Sequence, residues 1–349
     1  MMLQYYIWLN ELKGIQMRDK RLLVAYFGTP KKVYEASRLD LPEEYKEYQT
    51  FIKELKSNDL SVSESILKEN QNKNIKVLTI DDPLYRAGAR LEKNSPLVLY
   101  YKGKIVSNEN QHVAVVGTRK ATEYGKVATQ LICMEYIEKE SVIISGLATG
   151  IDRVAHETVI KIGGVTYAFV ANGLDVCYPK ENLELMEQIE NQGAVISMFP
   201  IGVSPRKHHF IMRNEIISMW ADEVVVVEGG AKSGAVITAE FALKNKKKVY
   251  AVPNNIFISS SDGCNNLLKK GAIPYLCNHD TINKQRKKRC TQKSEIPIIE
   301  MLKAIPLTIQ ELSKKLNLDY DKIQKELFML ELDDQVKFQS DGKWHYIGW

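Results

Sequence analysis

The chain is predicted to be a doubly wound, Rossmann-like α/β protein with a mostly parallel sheet, flanked by a small helical N-terminal domain and a C-terminal winged-helix domain. Three observations predict this. From residue 112 onward, apolar runs rich in Val and Ile (HVAVV, SVIIS, VTYAFV, AVISMF, EVVVV, KVYAV) alternate with helical segments such as EYGKVATQLICMEYIEK, GIDRVAHETVIKI and GAVITAEFALKNK. Near-continuous apolar runs separated by helix-length segments mark a parallel sheet covered on both faces. The first 75 or so residues and the last 55 or so follow different patterns, which is the second and third observation.

The N-terminal part, residues 1–75, is helical in pattern and rich in charge. RLLVAYFGTPKKVYEAS reads as a helix, a Gly-Thr-Pro turn and a second helix, a pair that serves more often in packing than in contacting a nucleic-acid backbone. LVLYYKG then reads as a strand leading into the central domain, residues 76–280. Residues 281–294, TINKQRKKRCTQKS, carry +6 without apolar periodicity and read as a flexible basic linker. In residues 295–349, EIPIIEMLKA, TIQELSKKLN and YDKIQKELFMLELDD read as three short amphipathic helices, and VKFQSDGKWHYIG reads as a hairpin turning near Asp341-Gly342. That order is a winged helix, yet its net charge is −3, and phosphate binding needs a basic footprint. An accessory or protein-contact role is expected for it.

With 44% hydrophobic and 26% charged residues, the composition is that of a globular chain, and no run approaches the roughly 20 apolar residues of a membrane span. A cytoplasmic location is expected, with no membrane partner. The cysteines Cys133, Cys177, Cys264, Cys277 and Cys290 are odd in number and form no C-x-x-C pair, so they are read as reduced and structural. No metal site, cofactor site or catalytic constellation is expected. Asp152 and His156 stand four apart on one helix face, but a structural pair explains them without a third ligand.

Four turns are expected on the rim at the carboxyl ends of the strands, where ligands bind in doubly wound sheets. The first, Gly117-Thr118-Arg119, joins a buried strand to a helix, and its expected anion site combines backbone N–H groups, the helix dipole and the Arg119 fork. Neither G-x-G-x-x-G nor the P-loop pattern is present. The second, SGLATGID, contributes Ser145 and Gly146; ANGLDVCYPKEN follows the third strand; EGGAKSG contributes Ser233 and Gly234. Between the fourth strand and the next helix, PIGVSPRKHHFIMRNEIISMW holds Arg206, Lys207, His208, His209, Phe210, Arg213 and Asn214 with no acid before Glu215. Basic side chains supply phosphate contacts, and an aromatic among them offers a face for an unpaired base.

VVGTR, SGLATGID, GLDVCYP, the run from Pro205 through Phe210 to Arg213-Asn214, SGAVITAEFA, VYAVP and GCNNLLKKGA occur in the order seen in the DNA processing protein A family, DprA or Smf, which the chain resembles over roughly residues 80–275. The resemblance implies a non-enzymatic single-stranded DNA-binding protein that protects incoming strands in natural transformation and loads the RecA recombinase, usually as a homodimer. It further implies that Arg119 grips phosphate and that Lys207 and Phe210 are the family's lysine and base-contacting aromatic. The chain departs from the family in Thr118 for the usual serine, in EGGAKSG, and in MFPIGVSP where SE-x-PPG is typical. EGGAKSGAVITAE also looks like the P-G-G-x-G-T-x-x-E loop of phosphoribohydrolases, so a nucleotide-processing enzyme is the alternative.

Overall fold

The structure, a computed structural model, describes residues 2–36, 60–106, 109–277, 297–332, 335–339 and 341–347. Residues 37–59 and the basic run 281–294 lie outside them. The chain divides into two compact units, Met1–Cys277 and Asn278–Trp349.

In the first unit, helices α1 (Leu3–Glu11), α2 (Met17–Phe27), α3 (Pro30–Ala36) and α4 (Ser61–Asn72) precede strand β1 (Lys76–Thr79), α5 (Ala87–Leu91) and β2 (Val98–Gly103). The anticipated turn between α2 and α3 falls at Gly28, whose φ of 88° ends α2. There follow β3 (His112–Val116), α6 (Glu123–Ile137), β4 (Val142–Ser145), α7 (Ile151–Lys161), β5 (Thr166–Val170), α8 (Leu183–Gln192) and β6 (Ala194–Ser197). The unit closes with α9 (Lys207–Trp220), β7 (Glu223–Val226), α10 (Gly234–Lys244), β8 (Lys248–Ala251), α11 (Asp262–Lys269) and β9 (Ile273–Pro274).

These strands form one sheet in the order β1-β2-β6-β5-β4-β3-β7-β8-β9. The run from β6 to β9 is parallel, and β1 and β2 join as an antiparallel flank. KVLT and the short β9 are strands that periodicity did not reveal, because each gains its ladder only by adding to a sheet edge. The six Val- and Ile-rich runs all become strands, five of them buried along their whole length and β8, nearer the sheet edge, buried at Val249 and Ala251.

Alternation along β3 splits the core between two faces. Val113 and Val115 pack with Ile132 and Cys133 of α6 and with Ile151, Ala155 and Val159 of α7. Ala114 and Val116 belong to the opposite core, with Ile216, Ile217 and Trp220 of α9 and Ala235 and Ala239 of α10. The N-terminal helices add Ile7, Leu9, Leu23 and Val33 to that same core. Such aliphatic and aromatic side chains contribute about 1.5–3 kcal/mol each when fully buried, so α1–α3 are held to the sheet.

After β3 the chain adds β4, β5 and β6 on one side, then returns to place β7 on the other side of β3. This reversal is the topological switch point, where a crevice opens at the carboxyl ends of the strands.

The second unit holds α12 (Pro297–Ala304), α13 (Ile309–Leu316), α14 (Tyr320–Leu332) and an antiparallel hairpin of β10 (Val336–Phe338) and β11 (Trp344–Tyr346). Its own core joins Ile298, Leu302, Leu312, Ile323, Leu327, Val336 and Trp344. Thr308 and Glu311 form a capping box at the start of α13. The expected order of three helices and a hairpin is present. Among the described residues no helix is long and apolar enough to cross a membrane.

Candidate nucleic-acid interface

A cavity of about 340 Å³ opens at the switch point. Gly117, Thr118 and Arg119 beyond β3, Phe210, Arg213, Asn214 and Ile217 on α9, and Ser233, Gly234 and Thr238 at the start of α10 line it, with Ala148 from the β4–α7 connection and Asp152 from the first turn of α7. The α9 residues recur at i, i+3, i+4 and i+7, the spacing of one helical face.

The turn after β3 is stitched on both sides: Thr118 N donates to Glu228 O at 2.7 Å, and Ile151 N donates to Thr118 O at 3.1 Å. Gly150, with φ at 78°, lets the β4–α7 connection press against the Thr118 carbonyl, where a side chain would collide. Arg119 stays exposed, its guanidinium carbon 5.4 Å from the centroid of the Phe210 ring. Arg213 lies 5.9 Å from that ring and Tyr178 packs at 5.7 Å. Phe210 is therefore half-buried, an aromatic ring beside one exposed cation and one buried one.

The anion site expected at the helix following Gly117 is not where the structure leaves room for it. That helix begins only at Glu123, and Thr122 caps it by accepting from Gly125 N at 3.1 Å. The buried carboxylate of Glu228 accepts from both Thr122 N and Thr122 Oγ1 at 3.0 Å, and from Ser260 Oγ at 2.8 Å. The protein's own acid thus meets the dipole of α6. At the cavity the available helix terminus is that of α10, capped by Ser233 and free of acid in its first turn. Asn214 Nδ2 donates to Gly234 O at 3.1 Å and fixes α9 against that terminus.

Arg213 is buried and bridges the strand ends, donating to Gly146 O and, at 2.9 Å, to Phe169 O. Gly146 has no room for a side chain against that guanidinium. Asp152 accepts from Gly146 N at 3.2 Å and Ala148 N at 3.4 Å. Burial raises the Asp152 pKa and lowers that of Arg213, each partly offset by the charge of the other. Ser145 is buried and donates to Val115 O at 2.7 Å. Ser145 and Gly146 thus sit behind the wall of the cavity, and Lys207 and His208 are exposed on α9 outside it.

Two readings of local charge are corrected. His209 does not offer a cation: it stacks on Phe199 at 4.1 Å, its Nδ1 donates to Ala171 O at 3.2 Å, and burial lowers its pKa. Asp152 and His156 do not pair, because His156 turns into the core and bonds through Nδ1 to Thr166 Oγ1 at 2.7 Å. Burial, reinforced by Arg213, pushes the His156 pKa down to about 3. Among the described residues no group of three His, Cys, Asp or Glu is placed to hold a metal.

Sequence reasoning missed Ala148, Ile217 and Thr238, which are ordinary helix and loop residues until the fold turns them inward. It also passed over Glu228, although an acid directly after a run of valines was a usable signal.

Residues 76–286 match the family model for DNA recombination-mediator protein A. The chain belongs to this family. A curated relative, Protein Smf of Synechocystis sp., is 32% identical over 318 residues, which span 89% of this chain and 75% of the relative. The X-ray structure of DprA from Streptococcus pneumoniae superposes with a TM-score of 0.69 at 28% identity, covering 80% of this chain and 97% of that one. A DprA structure from Helicobacter pylori, described for its single-stranded DNA binding mode, gives 0.53 at 28% identity over 61% of this chain and 96% of that one. The mostly parallel sheet of this chain is thus the DprA fold.

Proposed function

We propose that this DprA-family chain binds single-stranded DNA at the switch-point cavity, without catalysing a reaction on it. Arg119 and Lys207 meet phosphates, the Gly117-Thr118 turn and the Ser233-Gly234 terminus of α10 approach the backbone, and Phe210 receives an unpaired base. Asn214 braces the α10 terminus, while Arg213, Ser145 and Gly146 hold the wall in shape. The observation that carries this reading is the exposed Arg119 cation over the half-buried Phe210 ring at the mouth of the cavity. A cation beside an aromatic face suits a charged polymer whose bases are unpaired. The DNA-binding relative from Helicobacter pylori supports it.

In the cell this activity is read as cytoplasmic protection of incoming strands in natural transformation and their handover to RecA by a homodimer. The acidic C-terminal residues 295–349, of winged-helix type, are read as an accessory element. The test is a salt titration of affinity for single-stranded and duplex oligonucleotides. Arg119→Ala and Lys207→Ala should each weaken single-strand binding and lower the salt slope by nearly one counterion. Wild-type affinity in both variants sinks the site, and release of free base from a nucleoside monophosphate by the purified protein sinks the non-enzymatic reading.

A further inference from the structure

The same rim carries an apolar tip that packing does not explain. The loop after β8 runs from Pro253 to Ser261, and at its tip Phe257 is 90% exposed and Ile256 75%. A ring held in water forgoes the stabilisation that burial gives, and a contiguous exposed apolar patch marks a surface with a partner.

The loop is not loosely attached. Gly229 N donates to Ser260 O at 2.8 Å, Ser260 Oγ donates to Glu228 at 2.8 Å, and the Tyr124 hydroxyl donates to Pro253 O at 2.9 Å. At the tip, Phe257 N donates to Asn255 Oδ1 at 2.9 Å, a local turn that holds the ring outward. Glu228 is the common anchor, since its other oxygen takes Thr122, three residues beyond Arg119. The tip and the Arg119 turn therefore hang from one carboxylate.

The loops joining tip to cavity are basic at their surface. Lys120 beside Arg119 and Lys232 beside Ser233 are both exposed, and Tyr124, which bonds the base of the loop at Pro253, is 52% exposed. Exposed cations interleaved with exposed rings, continuous with a cavity of the same character, match a strand with phosphates on one side and unpaired bases on the other.

We propose that Phe257 is a second stacking station: a base of the strand seated in the switch-point cavity stacks on Phe257 as the strand leaves across the rim toward β8, with Lys120 and Lys232 meeting its phosphates. This rests on the single-strand reading of the cavity. It extends the contact to a loop outside that cavity and gives the bound strand a direction.

The experiment measures affinity of the full chain for oligo-dT strands of increasing length. Phe257→Ala should weaken long strands about 5- to 150-fold, the range one base–aromatic stack spans, and leave the shortest bound strands unaffected. Phe257→Trp should retain affinity and Phe257→Leu should not, because stacking needs a π face. An abasic nucleotide moved along the strand should abolish the difference between wild type and Phe257→Ala at one position. Melting temperature should be unchanged, as the ring contacts mainly solvent.

Unchanged long-strand affinity in Phe257→Ala overturns the inference, as does rescue by Phe257→Leu. Loss of self-association in Phe257→Ala with DNA affinity intact also overturns it, in favour of contact between copies. If wild type fails to bind oligo-dT at all, the reading of the cavity falls first. If binding depends on Arg119 and not on Phe257, only the second station falls.

Discussion

Helices α6 and α10 both begin on the rim beside the switch point, and each is capped by a hydroxyl, Thr122 in one and Ser233 in the other. At α6 the Glu228 carboxylate also bonds the cap, so an acid from within the protein compensates the terminus. At α10 there is no acid in the first turn, and Ser233 and Gly234 line the cavity with Arg119 and Phe210 nearby. A helix N-terminus attracts an anion only while its partial charge is unspent. The terminus nearest the glycine turn in sequence is therefore closed, and the one brought up by the fold is available.

The largest effect expected from breaking this contrast lies at Glu228. Hydrogen bonds to a charged group contribute about 1.5–3 kcal/mol each, so Glu228→Leu should lower unfolding stability in urea by about 3 kcal/mol or more. Glu228→Gln keeps the shape and removes the charge, which should uncover α6 and raise anion affinity. An unaltered salt dependence of oligo-dT binding in Glu228→Gln would break the comparison.

Next comes the ring that marks the open side. Phe210→Ala should cost about 1–3 kcal/mol of single-strand affinity with little change in salt slope, since it removes a stacking face and no charge. A drop in melting temperature with affinity preserved would instead make Phe210 a support for α9.

A graded effect is expected from pH. His156 and His112 are buried, and burial first, then Arg213 and Arg86 respectively, lowers their pKa from 6.5 to about 3 and about 4. Below 6.5 the unfolded chain takes up protons that these rings refuse in the folded state. Stability should then fall as pH drops from 6.5 toward 3, with the full contribution present above 6.5. Thr166 Oγ1 donates to Ile143 O at 2.9 Å, so it accepts from His156 Nδ1 and fixes the neutral tautomer. Urea unfolding across that range should give a shallower slope for His156→Gln than for wild type; an identical slope would count against the assignment.

The smallest effect is expected from the second unit. Removing residues 295–349, whose net charge is −3, should leave most single-strand affinity in the remaining chain, whose cavity is complete without them. Lost binding in a folded truncation would move the site away from the switch point.

The alternating Val/Ile runs were legible because a parallel strand buried on both faces must be apolar along its length, and all six became strands of one sheet. Gly117, Thr118, Arg119, Phe210, Asn214, Ser233 and Gly234 were legible as candidates because loops at strand ends and a basic segment with an aromatic stand out locally, and the fold gathers them at one cavity. Arg213 was legible as a cation, but not as one that spends its donors on Gly146 and Phe169. His209 looked the same as His208 in sequence; only packing against Phe199 separates them.

The sequence by itself determined the class of fold, the order of its elements and the stock of cations and rings on one rim, because periodicity, turn residues and charge act over a few neighbouring positions. Only the tertiary structure decided which of them share a cavity. Glu228 lies 106 positions from Thr122, and Arg213 lies 67 from Gly146. A buried carboxylate closing one helix and a buried guanidinium shaping the wall are consequences of long-range packing, where the low dielectric and the cost of unpaired charge choose the partner.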